Sequence, residues 1–274
     1  MILKKSPWIL SSEWLAENLT DDKLKIIDAS WYLPNQDVNA KLEYNKQHIP
    51  NAVFFDLDEI CDKNSSLPHM VPPVELFETS VAKLGISTWD PIVIYDQHGY
   101  FSAPRVWWLF RIMGHRKAFI LDGGFKAWQK NKLPVTNDVI SPKLGSFKSN
   151  FHPDMVVSLS EMQKIVAEQK ANIIDARSSA RFNGLEPEPR SNLKSGHMPG
   201  AINLPYNIFT EDGFLKELPE ISKIFKEKNI NLDDPIVATC GSGVTAAMII
   251  FALTSLGIEN ARLYDGSWAE WGAL

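Results

Sequence analysis

An internal repeat limits this chain to folds that contain two similar domains. Four short motifs occur in the same order in both halves, and each motif recurs about 145 residues later. One such match arises easily by chance, but four in a fixed order indicate a duplicated domain of about 120 residues. The paired motifs are Ile27-Asp28-Ala29 with Ile174-Asp175-Ala176, His48-Ile49-Pro50 with His197-Met198-Pro199, Pro91–Asp96 with Pro235–Cys240, and Leu121-Asp122-Gly123 with Tyr264-Asp265-Gly266.

The connection between the two copies is predicted from a stretch with little periodicity. Residues 134–158 carry scattered polar side chains together with Pro142, Gly145 and Pro153, a composition typical of a connecting segment. We therefore predict a first domain over residues 1–138, a linker over 139–157 and a second domain over 158–274.

Short β-branched runs alternate with amphipathic stretches in each copy, which predicts an α/β fold with a mainly parallel sheet flanked by helices. Ser160–Gln163 has the pattern of a capping box that opens a helix running into Val166. Further on, Pro235–Thr239 is typical of a buried parallel strand, and Thr245–Leu256 of a helix ended by Gly257. Cys240 is therefore expected at a strand-to-helix turn.

Composition excludes several classes of partner. The net charge of −5 and the lack of a basic run offer no handle for the phosphates of a nucleic acid. The longest apolar stretch, Ala246–Leu253, is too short to cross a bilayer, and residues 1–7 lack the apolar core of a signal peptide. We expect a cytoplasmic protein without a membrane partner.

The chain has two cysteines, Cys61 and Cys240, too few for a disulfide framework or a four-cysteine zinc site. Neither a metal nor an organic cofactor is expected. The acids around Cys61 are expected to raise the pKa of its thiol, so that we interpret this residue as structural. His48 and His197 occupy matching places in the two copies, and a shared structural role is predicted for both.

Cys240 is the predicted chemical centre. In the loop from Cys240 to Thr245, Gly241 and Gly243 allow the backbone to curl so that N–H groups point inward, and the helix that follows favours a thiolate. A lone cysteine is more often a small buried hydrophobe, but its place before a glycine-bearing turn favours a nucleophile. The first copy has Asp96 at this place, which predicts one active and one supporting domain.

Several motifs together resemble the tandem-domain rhodanese family over essentially the entire chain. The resemblance implies two rhodanese-like domains, an inactive first and a catalytic second one, with sulfur carried as a persulfide on Cys240 and the protein acting as a monomer. The motifs are Asp28–Pro34, His48-Ile49-Pro50, Ser102–Trp108, Leu121–Gly124, Glu186–Arg190 and the loop that begins at Cys240.

The resemblance also carries expectations about substrates. Similar enzymes that use thiosulfate have basic residues directly after the cysteine, whereas Gly241 and Ser242 are uncharged, which favours 3-mercaptopyruvate as the small-molecule sulfur donor. Arg181 and Arg190 are implied to bind the donor through their planar guanidinium groups. The acceptor is implied to be a thiol such as reduced thioredoxin, or cyanide in a test tube. Further substrate contacts are expected from Gly241, Gly243, Val244 and Thr245.

A group that moves protons is likewise implied, on Ser242, His69 and Asp58, of which the last two belong to the first domain. Such an arrangement explains why an inert domain is kept beside an active one. Taken without the family, His69 has the character of a loop histidine, Asp58 that of a solvated acid and Ser242 that of a turn former.

Three alternatives stay open from the sequence. A thiosulfate sulfurtransferase differs only in its donor. A cysteine-dependent phosphatase of this fold needs an arginine six residues after the cysteine, where this chain has Ala246. A non-catalytic sulfur-binding or sensor module is expected to lack the nucleophile or the arginines, and this chain has Cys240, Arg181 and Arg190.

Overall fold

The structure, a computed structural model, describes residues 4–274. The first half forms a five-stranded sheet with all neighbours parallel, in the order β1-β5-β4-β2-β3. Its elements are β1 (Ile9–Leu10), α1 (Ser12–Glu17), β2 (Lys25–Asp28), α2 (Ala40–Lys46), β3 (Ala52–Phe54), α3 (Val74–Lys83), β4 (Ile92–Tyr95), α4 (Ala103–Ile112), β5 (Ala118–Leu121) and α5 (Gly124–Lys130).

The second half repeats this plan with the order β6-β12-β11-β7-β8, again all parallel, and adds the antiparallel pair β9–β10. The matching strand orders confirm the predicted α/β fold built from two copies. Its elements are β6 (Val156–Val157), α6 (Leu159–Glu168), β7 (Asn172–Asp175), α7 (Ser179–Phe182), β8 (Ile202–Asn203), β9 (Thr210–Glu211), β10 (Phe214–Leu215), α8 (Leu218–Glu227), β11 (Ile236–Thr239), α9 (Ala246–Ser255), β12 (Arg262–Tyr264) and α10 (Ser267–Trp271).

The strand and helix that flank Cys240 lie within one residue of their predicted bounds. Gly257 lies two residues after the last residue of α9, and its φ of 89° is the left-handed conformation expected just past a helix end. The amide of the next residue, Ile258, returns to the carbonyl of Leu253. Local signals therefore place this element correctly.

The predicted cap of α6 was wrong by two residues. The helix begins at Leu159, and Ser158 caps it by accepting the N–H of Glu161 through its hydroxyl. Ser158 has the extended backbone of a residue leaving a strand, with φ −83° and ψ 165°, whereas Ser160 already lies in the first turn. Two nearby serines satisfy the same sequence pattern, and the end of β6 selects the earlier one.

The two domains meet through helices α4 and α9, which pack against each other. Every residue of both helices is buried. A helix covered on all sides is apolar all round, and α9 has that composition because sheet residues of its own domain and α4 of the other one enclose it. The loops that precede these helices therefore open where the domains join.

The matching histidines have equivalent surroundings, as predicted. His48 Nδ1 bonds the carbonyl of Tyr44 at 2.7 Å, and its ring stacks on that tyrosine. His197 Nδ1 bonds the carbonyl of Phe182 at 2.9 Å and stacks on that phenylalanine. Both imidazoles thus tie the turn that follows to the preceding helix.

The segment predicted as a linker has no helix or strand over residues 137–152, and its last residues form β6, which pairs with β12. The exact domain boundary stays a prediction. Among the described residues, every helix is too short or too polar to span a lipid bilayer.

Candidate active site

Cys240 is the first residue after the central strand of the second sheet and is almost fully buried. Its N–H donates to the hydroxyl of Ser267 at 3.2 Å, and its carbonyl accepts the N–H of Trp268 at 2.9 Å. Both partners belong to α10, which follows the neighbouring strand β12. The nucleophile candidate is therefore anchored on both sides of its peptide unit.

The two loop glycines are required for different reasons. Gly243 has a left-handed φ of 76°, and a Cβ there would lie 3.0 Å from Nη1 of Arg105. Gly241 is not left-handed, but a Cβ there would lie 2.8 Å from Nη2 of Arg181. Gly243 permits the turn, and Gly241 permits Arg181 to approach the loop beside Cys240.

The backbone of the loop offers donors to an anion. Within residues 4–274, no N–H from Gly241 to Thr245 donates to a protein acceptor. The first domain shows what such a loop holds, because the carboxylate of Asp96 accepts five backbone N–H groups of its own loop. The donors are His98, Gly99, Phe101, Ser102 and Ala103, at 2.5 to 2.9 Å.

The structure brings Ser242, His69 and Asp58 together in a hydrogen-bonded row. Ser242 Oγ lies 3.2 Å from His69 Nδ1, and His69 Nε2 lies 2.9 Å from Asp58 Oδ1. Trp31 Nε1 also donates to both oxygens of Asp58, at 3.1 and 3.2 Å. Two residues of the first domain thus reach a serine of the second one, as the resemblance implied.

The pKa shifts of His69 and Asp58 indicate which atoms of this row carry protons. Burial lowers the pKa of His69, an effect that Asp58 opposes and that the charges of Arg190 and Arg105 reinforce. The hydrogen bond from His69 is the main cause that lowers the pKa of Asp58. Both shifts agree with a neutral imidazole that donates from Nε2 to an ionised carboxylate, which leaves Nδ1 to accept from the Ser242 hydroxyl. The side chain of Asp58 is 63% exposed, so water screens its charge.

The arginines beside the loop differ in how their charge is used. Arg181 forms an ion pair with Glu188, a buried acid that also pairs with Arg177 at 2.6 Å. Arg177 in turn grips Asp175 with two nitrogens. In contrast, Arg190 forms no ion pair with any carboxylate in residues 4–274. Arg190 is therefore the cation most available to an incoming carboxylate.

A cavity of about 560 Å³ opens over Cys240 and is lined by both domains. Its second-domain wall includes Arg181 and Arg190, and all loop residues line it except Gly243, which lies behind and faces Arg105. A wider cavity of about 900 Å³ adjoins it and is lined by Asp58 and His69. First-domain residues of the smaller cavity are Trp31, Leu33, Asn35 and Phe101.

Cys61 has the raised pKa that the sequence predicted, with a different main cause. Burial of its thiol raises the pKa most, and the charge of Asp58 adds to it. Its Sγ donates to the carbonyl of Asp58 at 3.1 Å. These contacts are consistent with the structural role assigned to it.

Sequence reasoning missed four charged residues that shape the site: Arg105, Asp265, Arg177 and Glu188. Each lies within or beside a motif quoted above, but the motif itself does not reveal its partner. Arg177 and Glu188 are 11 residues apart, whereas Arg105 and Asp265 are 160 residues apart and meet across the domain junction.

Comparisons with known proteins agree with this geometry. Residues 11–131 and 158–274 each match the family described as Rhodanese-like domain. The chain is 42% identical over 267 residues to 3-mercaptopyruvate sulfurtransferase of Escherichia coli (strain K12), covering 97% of this chain and 95% of that one. It is also 39% identical over 271 residues to thiosulfate sulfurtransferase of Rattus norvegicus, covering 96% and 91%.

Among solved structures, the crystal structure of the Escherichia coli 3-mercaptopyruvate sulfotransferase SseA superposes with a TM-score of 0.88 at 40% identity. The superposition covers 96% of this chain and 99% of that one. Both tandem domains are therefore shared at full length. Overall identity alone does not separate the two donors, because relatives that carry either donor in their names are almost equally similar.

Proposed function

Since this chain belongs to the family of rhodanese-like domain proteins, we propose that it is a sulfurtransferase that moves sulfur from 3-mercaptopyruvate through a Cys240 persulfide to a thiol acceptor. One observation carries the proposal: Cys240 begins a loop of unpaired backbone N–H groups inside a cavity that also holds Arg181 and Arg190. A nucleophile, an anion cradle and two carboxylate-binding cations thereby share one space.

In the first half-reaction the thiolate of Cys240 attacks the sulfur of 3-mercaptopyruvate. A sulfur–sulfur bond forms and the carbon–sulfur bond breaks, so that its electron pair leaves with carbon as the enolate of pyruvate. The proton of the donor thiol is transferred and finally protonates that carbon, which releases pyruvate. The persulfide keeps its negative charge on the outer sulfur, where the loop N–H groups stabilise it.

Arg190 is the group proposed to bind the donor carboxylate, because no acid of residues 4–274 pairs with it. Arg181 shares its charge with Glu188, which fixes the direction of its guanidinium beside Gly241. A planar fork held in this way suits the neighbouring carbonyl and carboxylate oxygens of a 2-oxo acid. Thiosulfate carries its charge close to the transferred sulfur and gains less from cations that lie off the loop.

We assign proton movement to Ser242, His69 and Asp58. Ser242 lies two residues after Cys240. The neutral imidazole of His69 can take the proton of the Ser242 hydroxyl through Nδ1. Asp58 holds the ring in the tautomer that makes this possible. The first domain thus supplies the base while the second supplies the nucleophile.

In the second half-reaction a thiolate of the acceptor attacks the outer sulfur, and Cys240 leaves as a thiolate. Reduced thioredoxin is the proposed acceptor, with cyanide as a laboratory substitute. The free thiols of Cys61 and Cys240 support a reducing compartment such as the cytoplasm. The mutual burial of α4 and α9 within one chain supports a monomer, since each domain already covers the apolar face of the other.

The test is pyruvate release from 3-mercaptopyruvate in the presence of a thiol acceptor, with thiosulfate assayed in parallel. We expect fast release by the unsubstituted protein, none by Cys240→Ser, and a mass increase of one sulfur atom on the protein when the acceptor is withheld. The matched control is Cys61→Ser, which removes the other thiol and is expected to keep the activity. A higher kcat/KM for thiosulfate would reassign the donor, and inactivity with both donors would leave a sulfur-binding module.

A further inference from the structure

Each domain sends a segment across to the other one. The first arm, residues 55–73, runs from β3 to α3 and carries both Asp58 and His69. Asp265, in the turn after β12 of the second domain, accepts the N–H of Val71 through Oδ2 at 2.6 Å. A single buried carboxylate of the second domain therefore grips the first arm two residues after His69.

The second arm, residues 204–217, mirrors this contact. Asp122, the counterpart of Asp265 in the repeat, accepts the N–H of Leu215 through Oδ1 at 2.8 Å. Two residues before that amide lies Gly213, with a left-handed φ of 86°. The two arms are thus held by equivalent aspartates at equivalent amides.

His69 occupies the place of Gly213 and adopts the same unusual backbone, with φ 59°. A side chain in this conformation costs about 1–2 kcal/mol relative to the right-handed region. Glycine would avoid that cost. The first arm is therefore strained at the residue that carries the imidazole. A strained residue keeps its conformation only where its surroundings hold it.

Arg105 of α4 holds the backbone of His69 in this conformation. Its Nη2 donates to the carbonyl of His69 and to Asp265 Oδ1 at 2.7 Å, and its Nη1 lies 3.4 Å from the carbonyl of Gly243. The side chain is fully buried and its guanidinium faces the ring of Trp108 at 4.7 Å. One cation therefore contacts the His69 backbone, the aspartate that grips the arm and the loop of Cys240.

We propose that Arg105 and Asp265 are positioning residues that hold the His69 imidazole against Ser242. The inference rests on the proposed function and names a further requirement of the same site. The two residues touch neither the cavity nor the reacting sulfur, and they act through the backbone of His69.

The mirror contact argues against a merely structural need for the cation. Asp122 is bonded by the hydroxyl of Tyr100 at 2.8 Å, a neutral donor, and the second arm is docked all the same. The aspartate that docks the arm is therefore paired with a buried arginine where the arm carries His69. Where the arm carries Gly213, a tyrosine hydroxyl is enough to hold that aspartate. Arg105 uses both terminal nitrogens, Nη2 toward His69 and Asp265 and Nη1 toward Gly243, whereas lysine has one nitrogen and is therefore not an equivalent replacement.

The test is a double-substitution cycle on the donor half-reaction, measured as single-turnover pyruvate release. Arg105→Lys and Asp265→Asn are each made in the unsubstituted protein and in His69→Ala. We expect each to slow release by about 10- to 100-fold alone, and to cause no further loss in the His69→Ala background. The matched control is Asp122→Asn, which loosens the second arm and is expected to leave the rate within about twofold.

Equal losses in both backgrounds, or no loss at all, would overturn the proposal, as would an equal loss in the control.

Hydrogen exchange of the Val71 amide, measured by NMR, is the readout independent of activity. We expect at least about tenfold faster exchange in Arg105→Lys, with Ile94 of the core unchanged; an unchanged Val71 rate contradicts the proposal. If Arg105→Lys does not fold, Asp265→Asn decides both measurements. Lack of pyruvate release by the unsubstituted protein would refute the proposed function, and the exchange rate still decides whether the arm is held.

Discussion

Asp96 stands in the first domain where Cys240 stands in the second. Each is the residue that follows the central strand of its sheet, and each begins the loop that leads into a buried helix. Asp96 fills its own loop with a carboxylate that accepts five N–H groups. The first loop thus holds its own carboxylate in the place where the second is proposed to hold a persulfide.

Asp96→Asn is expected to destabilise the protein without changing the chemistry at Cys240. The amide group turns one N–H₂ toward backbone donors and loses the charge that they stabilise. We expect a loss of about 2–3 kcal/mol in the free energy of unfolding, measured by urea denaturation. Asp138→Asn, at an exposed acid, is the control and should change it by less than about 0.5 kcal/mol. An unchanged midpoint in Asp96→Asn contradicts the prediction.

Asp28 and Asp175 are buried acids at equivalent positions of the two domains. Replacing each by asparagine is expected to change the free energy of unfolding in opposite directions. Asp175 pairs with Arg177, whereas the first domain has Ser30 at that position, and one oxygen of Asp28 has no partner in residues 4–274. Burial raises the pKa of Asp28 to about 6. Ionising Asp28 therefore costs stability.

The sign of the pH dependence follows from that shift. With a folded pKa of about 6 against the ordinary 3.8, the contribution of Asp28 to stability is fully present below pH 3.8 and is lost as the pH rises through 6. Asp28→Asn should accordingly gain roughly 1–3 kcal/mol at pH 8 and little at pH 4. Asp175→Asn should lose stability at pH 8, because it removes one carboxylate of the buried ion pair and leaves Arg177 with Glu188 alone. Thermal unfolding at both pH values measures this, and destabilisation by Asp28→Asn at pH 8 would show the assignment to be wrong.

Gly241→Ala is expected to weaken donor binding by moving Arg181. The new methyl would lie 2.8 Å from Nη2 of Arg181, so the guanidinium must shift and its ion pair with Glu188 is disturbed, whereas the backbone is not strained. We expect the KM for 3-mercaptopyruvate to rise about 3- to 10-fold while kcat stays within about twofold. In an Arg181→Ala background the same substitution should have no further effect on KM. A rise of equal size in both backgrounds would mean that Gly241 acts otherwise.

The pH profile of pyruvate release should report the neutral His69. Burial lowers its pKa, so the acid limb of kcat/KM is expected below pH 6.5, where protonation removes the base. Asp58→Asn removes the carboxylate that raises this pKa, so the limb should move to lower pH. The plateau rate should also fall by roughly 10- to 100-fold, because the ring tautomer is no longer held.

The control for that profile is Asp56→Asn, an acid of the same arm whose Oδ1 caps the turn at Asp58 and Glu59 rather than facing the imidazole. Its acid limb should coincide with that of the unsubstituted protein. A limb that moves to higher pH in Asp58→Asn would mean that the group titrating is not His69.

Features that depend on the residue's own segment were predictable from the sequence. The strand before Cys240, the helix after it and the glycine stop at Gly257 follow from local burial patterns and turn chemistry, which each segment carries by itself. The duplication was predictable for a related reason, since two copies of one segment order must form two sheets of one strand order. The cap of α6 was missed because Ser158 and Ser160 fit the same local rule.

The composition of the site was decided by the tertiary structure. Ser242 and His69 are 173 residues apart, and Arg105 and Asp265 are 160 residues apart, so no periodicity within a segment relates them. The resemblance to a known family supplied the first pair, and nothing in the sequence indicated the second. These groups meet because α4 packs on α9 and each domain then receives an arm of the other. Such contacts arise from the packing of complementary surfaces, which depends on the entire chain, whereas strands, turns and caps depend on neighbours in sequence.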